Sequence, residues 1–459
     1  MEDPIGPDLT ARQVAVEALI RFERDLADLQ QHLHSFLNQT DQRAQATDLT
    51  YGVIRNRTLL DRLLHQFGDV NPCRVSPRLM NLLRIGAYEW IYAPQTAEYA
   101  IVDEAARLAG IQGGRKQVGF VNAVLRNLGR AIENRCVPRE TADPRRCVPQ
   151  SASTGCLFHQ PVLPDPMENP AEFFAMAFSL PLWMIQEWVM EYGNETVQMI
   201  CLGSNRRPSL FLQPNSLKTT PQSALDRLIQ IGFECRLTSD GQIQLLSGYR
   251  MDDLPGFQEG WFHVLDPAST RPVGILDPQP GETVLDLCSA PGGKTVLMAQ
   301  KMNNRGTIYA TDADLQRLVK VRENCRRLGI ENVKIIEKLS DLPEDLLFDA
   351  VLADVPCSNS GVMARRCEVR YRITPQAVAN LTQIQYAILE QAAEKIRPAG
   401  RIVYSTCSIL EEENNRLIRR FLDHHPDFIL NQARLQFPRM QSDEDPESDG
   451  GFAAFIMRR

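Results

Sequence analysis

Val284-Leu285-Asp286-Leu287-Cys288-Ser289-Ala290-Pro291-Gly292-Gly293-Lys294-Thr295 is the stretch from which the fold can be read. An apolar run breaks at Pro291-Gly292-Gly293 and resumes as Val296-Leu297-Met298-Ala299, the pattern of a buried strand, a tight glycine turn and a helix start. The glycines let backbone N–H groups approach a ligand closely, and the following helix presents the positive end of its dipole at the same place. A polar or anionic small molecule is expected there.

Outward from this turn, strands and helices alternate from Pro278 onward, as in a parallel doubly wound α/β sheet. Strands are expected at Thr283–Leu287, Gly306–Thr311, Asn332–Ile336, Asp349–Ala353 and Gly400–Ser405. Asp312, Glu337, Asp354, Cys357 and Cys407 then fall just past carboxyl ends of strands, where open α/β sheets bind ligands. A phosphate-binding P-loop would need glycine where Cys288 stands, and a dinucleotide fingerprint would need G-x-G-x-x-G in place of adjacent glycines. What remains is a variant strand-turn-helix loop of the kind found in AdoMet-dependent methyltransferases. In that frame Asp312 clamps the ribose, Glu337 faces the adenine edge and Asp354 forms the floor of the site.

The chain has 459 residues, 43% hydrophobic and 23% charged, enough for about three domains of ordinary globular composition. No apolar run is long enough to span a bilayer and the N-terminus carries no secretory pattern, so a cytoplasmic protein is expected. Eleven scattered cysteines argue for reduced thiols. The net charge of -7 does not favour nucleic acid, so any RNA contact must come from local basic patches.

Residues 10–130 read as helical throughout, opening with Thr10 or Asp8 as a cap and including separate helices at Tyr99–Ala109 and Gln117–Ala131. Between 133 and 169, Arg135-Cys136-Val137-Pro138 recurs as Arg146-Cys147-Val148-Pro149, with Cys156 and His159 beyond. The irregular gaps match no paired zinc pattern, so no metal is assigned and a flexible linker or insertion is expected. Two helices over Pro170–Leu202 and short strands around a helix at Pro221–Ile231 read as a small α+β module. The expected division is therefore 1–132 all-α, 133–169 linker, 170–265 α+β and 266–459 catalytic α/β.

Cytosine C5 accepts a methyl group only after a thiolate adds at C6, and a free thiol with a pKa of about 8.5 needs local help to ionise. Cys357 and Cys407, both at strand-to-helix junctions, are the candidates, and the residues alone do not choose between them. Leu285–Thr295, Ala353-Asp354-Val355-Pro356-Cys357-Ser358 and Val403-Tyr404-Ser405-Thr406-Cys407-Ser408 with Glu412-Glu413-Asn414 resemble the RNA cytosine-C5 methyltransferases. Leu49–Arg55, Leu82–Glu89 and Gly119–Arg126 resemble the NusB-type RNA-binding helical domain, which together points to the Sun/Fmu-type ribosomal RNA branch.

That resemblance implies Cys407 as the nucleophile, Cys357 as the cysteine assisting product release and Asp354 on the cytosine N3/N4 edge. It implies Cys288, Ser289, Ala290, Pro291, Gly292, Gly293 and Lys294 around AdoMet, with Asp312 and Glu337 on its nucleoside and Asp354 beside the methyl donor. Arg365, Arg366 and Arg370 become candidate phosphate contacts. Glu337 stands where relatives carry aspartate, and Leu265-Asp266 where they carry Gln-Asp. Asp443–Asp449 reads as an acidic, solvated insertion. The expected function is AdoMet-dependent cytosine-C5 methylation of RNA, small-subunit ribosomal RNA first, by a monomer. Transfer RNA as substrate, or a non-catalytic RNA-binding assembly factor with a vestigial fold, stand as alternatives.

Overall fold

A computed structural model describes residues 9–26, 29–246, 254–442 and 446–459. Contacts divide it into two compact units, 1–206 with 367–372, and 207–366 with 373–459.

The first unit opens with α1 (Ala11–Asp25), α2 (Leu29–Leu37), α3 (Arg43–Gly68), α4 (Pro77–Tyr92) and α5 (Glu98–Ala131). Thr10 caps α1 in a reciprocal box: its hydroxyl accepts from the Gln13 N–H and Gln13 Oε1 accepts from the Thr10 N–H. Asp8, the other candidate cap, lies outside the described residues. The two helices expected over 99–131 run as one element broken at Gly114, whose φ of 66° only glycine adopts cheaply.

The 133–169 segment is not a flexible linker. It folds into β1 (Ile132–Pro138), β2 (Cys147–Pro149) and β3 (Thr154–Phe158), an antiparallel sheet in the order β1-β3-β2. The two Arg-Cys-Val-Pro repeats are thus its outer strands. Arg135 explains the order: its guanidinium donates to the carbonyls of Glu89 (2.9 Å), Trp90 (3.0 Å), Ala93 (2.7 Å) and Thr96 (2.7 Å), satisfying the open end of α4.

α6 (Pro170–Ala177) and α7 (Leu182–Asn205) pack with this unit, where the Leu59 N–H donates to Ser179 Oγ at 3.1 Å. Of the expected α+β module, the two leading helices join the first unit, while its strands and the helix expected at Pro221–Ile231 stay together in the second.

In the second unit β4 (Leu210–Pro214), α8 (Pro221–Gln230), β5 (Cys235–Leu237), β6 (Ile243–Leu245) and β7 (Phe262–Val264) form a small sheet, order β5-β6-β4-β7, with one helix on it. Leu212, Leu225, Leu228, Ile243 and Phe262 fill the interface between them. The Asn215 amide, buried, fastens this module to the larger α/β layer of the same unit by donating to Leu328 O at 2.8 Å.

The chain then runs through α9 (Pro267–Leu276), β8 (Thr283–Asp286), α10 (Gly293–Lys301), β9 (Thr307–Ala310), α11 (Leu315–Leu328), β10 (Val333–Ile335), β11 (Phe348–Asp354), α12 (Pro375–Lys395), β12 (Ile396–Thr406), α13 (Asn415–His424), β13 (Phe428–Gln436) and β14 (Gly451–Arg458). The sheet order is β10-β9-β8-β11-β12-β14-β13, parallel from β10 to β12, with β14 antiparallel to both neighbours. Alternating residues face opposite layers. Val284, Ala350, Leu352 and Val403 pack with α9, α10 and α11, and Leu285, Val351, Ala353 and Tyr404 pack with α12 and α13. This doubly wound three-layer arrangement brings the carboxyl ends of β8, β9, β11 and β12 to one edge.

Candidate active site

At the end of β8 the chain turns through Ser289–Gly293 into α10. Gly292 has φ 105°, and a Cβ there would lie 3.2 Å from the backbone of Val321, so the turn both needs glycine and has no room for more. Asp312, just past β9 and buried, accepts from the Ala290 N–H at 3.1 Å and from the Asp314 N–H at 3.0 Å, so it props the turn as well as facing it. Glu337, two residues past β10, is exposed.

Beneath the turn Asp286 is buried, and Thr295 donates to its Oδ2 at 2.7 Å. Burial pushes the Asp286 carboxyl up to about 7, reinforced by nearby Asp354 and opposed by Thr295 and Lys294. Among the described residues nothing pairs with Asp286 Oδ1 or with the buried Ser289 hydroxyl. Buried polar atoms of this kind normally have a partner. A polar ligand lying against the glycine turn supplies one, so the residues fit an adenosyl amino acid. Cys288 is half-buried and its thiol is pushed far up by burial and by Asp286, Asp354 and Asp312, which keeps it neutral.

The ends of β11 and β12 carry the two candidate cysteines and Asp354. Cys357 and Cys407 approach with their Sγ atoms 3.0 Å apart, and Cys407 Sγ donates to Asn359 Oδ1 at 3.3 Å. The Cys357 thiol is raised well above the ordinary range by its hydrogen bond to Cys407, by burial, and by the charge of Glu413. Asp354 accepts from Lys294 Nζ at 2.5 Å and from Ser405 Oγ at 2.6 Å. Burial works to lower the Lys294 pKa, but the charge and hydrogen bond of Asp354 outweigh it and leave it raised. Lys294 therefore reaches across from the glycine turn to Asp354. Ser405 and Glu413 stood in the motifs read from sequence without a role, and Asn359 was not singled out there. The repeated Cys-Ser step at 357–358 and 407–408 was a signal available for two of Glu413's partners.

Lys294, Asp354, Asn359 and Cys407 open onto one cleft of about 1070 Å³, with Arg366 and Arg434 on its walls. The three arginines expected on phosphates differ. Arg366 is exposed on the cleft. Arg365 is held at 2.8 Å by both Asp266 and Asp449 and donates to Ser209 O at 2.8 Å, so it is a structural tie, not a free phosphate contact. Arg370 is buried in the first unit, donating to Phe178 O (3.2 Å), Asn205 Oδ1 (2.9 Å) and Ser204 O (3.2 Å), and cannot meet a phosphate.

The acidic stretch differs too. Residues 443–445 lie outside the described residues, but Glu447, Ser448 and Asp449 are buried and engaged, Glu447 with the Ser209 N–H and Asp449 with Arg365. That end is an anchor, not a solvated insertion. Among the described residues no cluster of three or more His, Cys, Asp or Glu is placed to hold a metal, and no helix is long and apolar enough to cross a membrane.

Three family models match the chain: the NusB family over residues 9–130, the ferredoxin-like domain of RsmF/B-like methyltransferases over 180–249, and the 16S rRNA methyltransferase RsmB/F over 273–448. A probable ribosomal RNA small subunit methyltransferase B from Bacillus subtilis is 30% identical, the match covering 91% of this chain and 89% of that protein. A relative of the same description from Synechocystis is 33% identical over 86% and 84% of the two chains. Among solved structures, a methyltransferase homolog protein from Pyrococcus horikoshii is 28% identical with a TM-score of 0.53, covering 62% of this chain and 98% of its own. The crystal structure of PH0851, 25% identical, aligns over 99% of this chain and 100% of its own with a TM-score of 0.72.

Proposed function

Because the chain belongs to the RsmB/F family of small-subunit ribosomal RNA methyltransferases, we propose that it methylates C5 of a cytosine in that RNA, as a monomer, through a covalent bond to Cys407. The observation that carries this reading is the pair of sulfurs 3.0 Å apart, beside Asp354 and Lys294, at adjacent strand ends.

AdoMet is the cofactor, supplying an electrophilic methyl group when bound; the 288–294 turn, Asp312 and Glu337 would hold it. Cys407 lines the cleft and is the nucleophile: its thiolate bonds to C6 and the ring electron pair moves to C5, which makes C5 able to take the methyl group. Asp354, held by Lys294 and Ser405, accepts from the cytosine N4 amino group and orients the ring. Once C5 is methylated its proton leaves to a base, the C5–C6 double bond re-forms and the C6–S bond breaks. Cys407 leaves as the thiolate in which it attacked, and Cys357, kept protonated by its neighbours and by burial, donates a hydrogen bond to that departing sulfur across 3.0 Å. Arg366, exposed on the cleft, takes an RNA phosphate in this reading.

The test is a denaturing gel of protein incubated with AdoMet and small-subunit ribosomal RNA carrying 5-fluorocytidine, where fluorine blocks the final elimination. A covalent band lost in Cys407→Ser and kept in Cys357→Ser is expected. Loss in Cys357→Ser alone would reverse the two roles. No adduct with any form, with RNA and AdoMet binding intact, would favour an assembly factor, and an adduct only with transfer RNA would change the substrate.

A further inference from the structure

Glu413 lies just past the loop that carries Cys407, and it is 0% exposed. It has no cation beside it among the described residues. Four neutral donors surround it instead. Oε1 accepts from the Ser358 N–H at 2.8 Å and from Gln385 Nε2 at 2.8 Å, and Oε2 accepts from Ser358 Oγ and Ser408 Oγ. A carboxylate taken out of water at this depth is costly unless its lone pairs are filled, and here they are filled from chosen places.

Those places are informative. Ser358 follows Cys357 and Ser408 follows Cys407 directly in sequence. Ser408 Oγ also meets Ser358 Oγ at 3.1 Å and Ser360 Oγ at 2.9 Å, and Ser360 Oγ accepts from the Ile409 N–H at 2.9 Å. Gln385, on α12, donates both to Glu413 and to Pro356 O at 3.0 Å, fixing the residue before Cys357. The Tyr404 hydroxyl, from β12, donates to Glu413 O at 2.7 Å. One carboxylate thus gathers the residue after each thiol, while the glutamine bound to it holds the residue before one of them.

We propose that Glu413 is the positioning residue of the two-thiol centre, stapling the loops after β11 and β12 in the register that sets Cys357 against Cys407. This rests on the two-cysteine reading of the site. Glu413 touches neither sulfur, so its effect falls on the step that needs both thiols at once, which is resolution of the adduct. Cys407 alone suffices to form it. Removing the staple therefore leaves adduct formation and slows release.

The experiment uses the full-length protein and two readouts. The first is independent of the reaction: dibromobimane becomes strongly fluorescent only when its two arms alkylate two neighbouring thiols. Wild type should give a signal that Cys357→Ser abolishes and Glu413→Ala greatly reduces. Glu413→Gln should restore it, because the amide keeps one acceptor for the Ser358 N–H and Gln385 and the serine hydroxyls can turn to accept from its NH2. The second readout is turnover on unmodified RNA. Glu413→Ala and the milder Ser408→Ala should lower kcat by roughly tenfold or more with KM within about twofold, and should accumulate protein covalently held on ordinary cytidine RNA, the outcome also expected of Cys357→Ser.

Wild-type bimane signal and turnover in Glu413→Ala would overturn the proposal, as would loss of the 5-fluorocytidine adduct in Ser408→Ala and Glu413→Gln with AdoMet binding intact. Absence of that adduct in wild type would instead overturn the two-cysteine reading beneath it. Should Glu413→Ala fail to fold, Ser408→Ala and Glu413→Gln decide the matter by the same readouts.

Discussion

Asp286 sits under the glycine turn with one oxygen on Thr295 and the other unpaired, and its pKa of about 7 is a statement about stability as much as about binding. A carboxyl raised in the folded protein holds its proton over a range in which the unfolded chain has already released it. Its burial costs little near pH 4 and progressively more as the pH climbs toward 7. Asp286→Asn should accordingly gain stability relative to wild type between pH 5 and pH 8, by roughly 3–5 kcal/mol at the upper end. Thermal melts of both proteins across that range, without ligand, check it; parallel curves would mean that Asp286 stays ionised throughout. Residue chemistry of this sort was only partly legible beforehand. Asp312, Asp354 and the two cysteines announce themselves by following strands. Arg365 does not, because its partners Asp449 and Asp266 lie 84 and 99 residues away in sequence. A charged side chain in a loop after Cys357 looks free until the fold brings two carboxylates to it. Arg370 misled for the same reason, its acceptors coming from Arg55 on α3 and from α7 and the end of α6.

Among the elements, β8, β9 and β11 were readable because their apolar residues are bounded by turns and end in acids. β13 was not: most of Phe428–Gln436 is exposed or partly exposed, with no clean alternation to mark an edge strand. The β1-β3-β2 sheet was illegible for another reason. β2 has three residues, too short for periodicity to register, and what orders the segment is Arg135 reaching back to α4. Four carbonyls share one planar guanidinium, and a lysine ammonium has neither the spread nor the donors to replace it. Arg135→Lys should destabilise the first unit by about 2–4 kcal/mol, seen as a lower denaturant midpoint of that unit and faster hydrogen exchange at the end of α4. Unchanged exchange there would show that the sheet holds its place without the arginine.

At the scale of the whole chain, the first unit is discontinuous. It takes residues 1–206 and then a six-residue return, 367–372, whose Arg370 and Tyr371 close hydrogen bonds inside it, Tyr371 onto Ile54 O at 2.7 Å. A fragment ending at residue 206 should therefore show weaker exchange protection in α3 and at the end of α7 than the intact protein, and a peptide spanning 365–374 added in excess should recover part of it. Equal protection without the peptide would mean that the return segment only rests in a groove already formed. The same topology sets an order of events on the ribosome. The N-terminal helices emerge first, yet the piece that completes them is encoded inside the catalytic half and is not made until residue 372. At about 5–20 residues per second the nascent helices wait on the order of ten seconds or more for their last component. Over that interval the unfilled seat for Arg370 is open to a chaperone, and a synonymous change in codon speed between 206 and 372 alters how long it stays so.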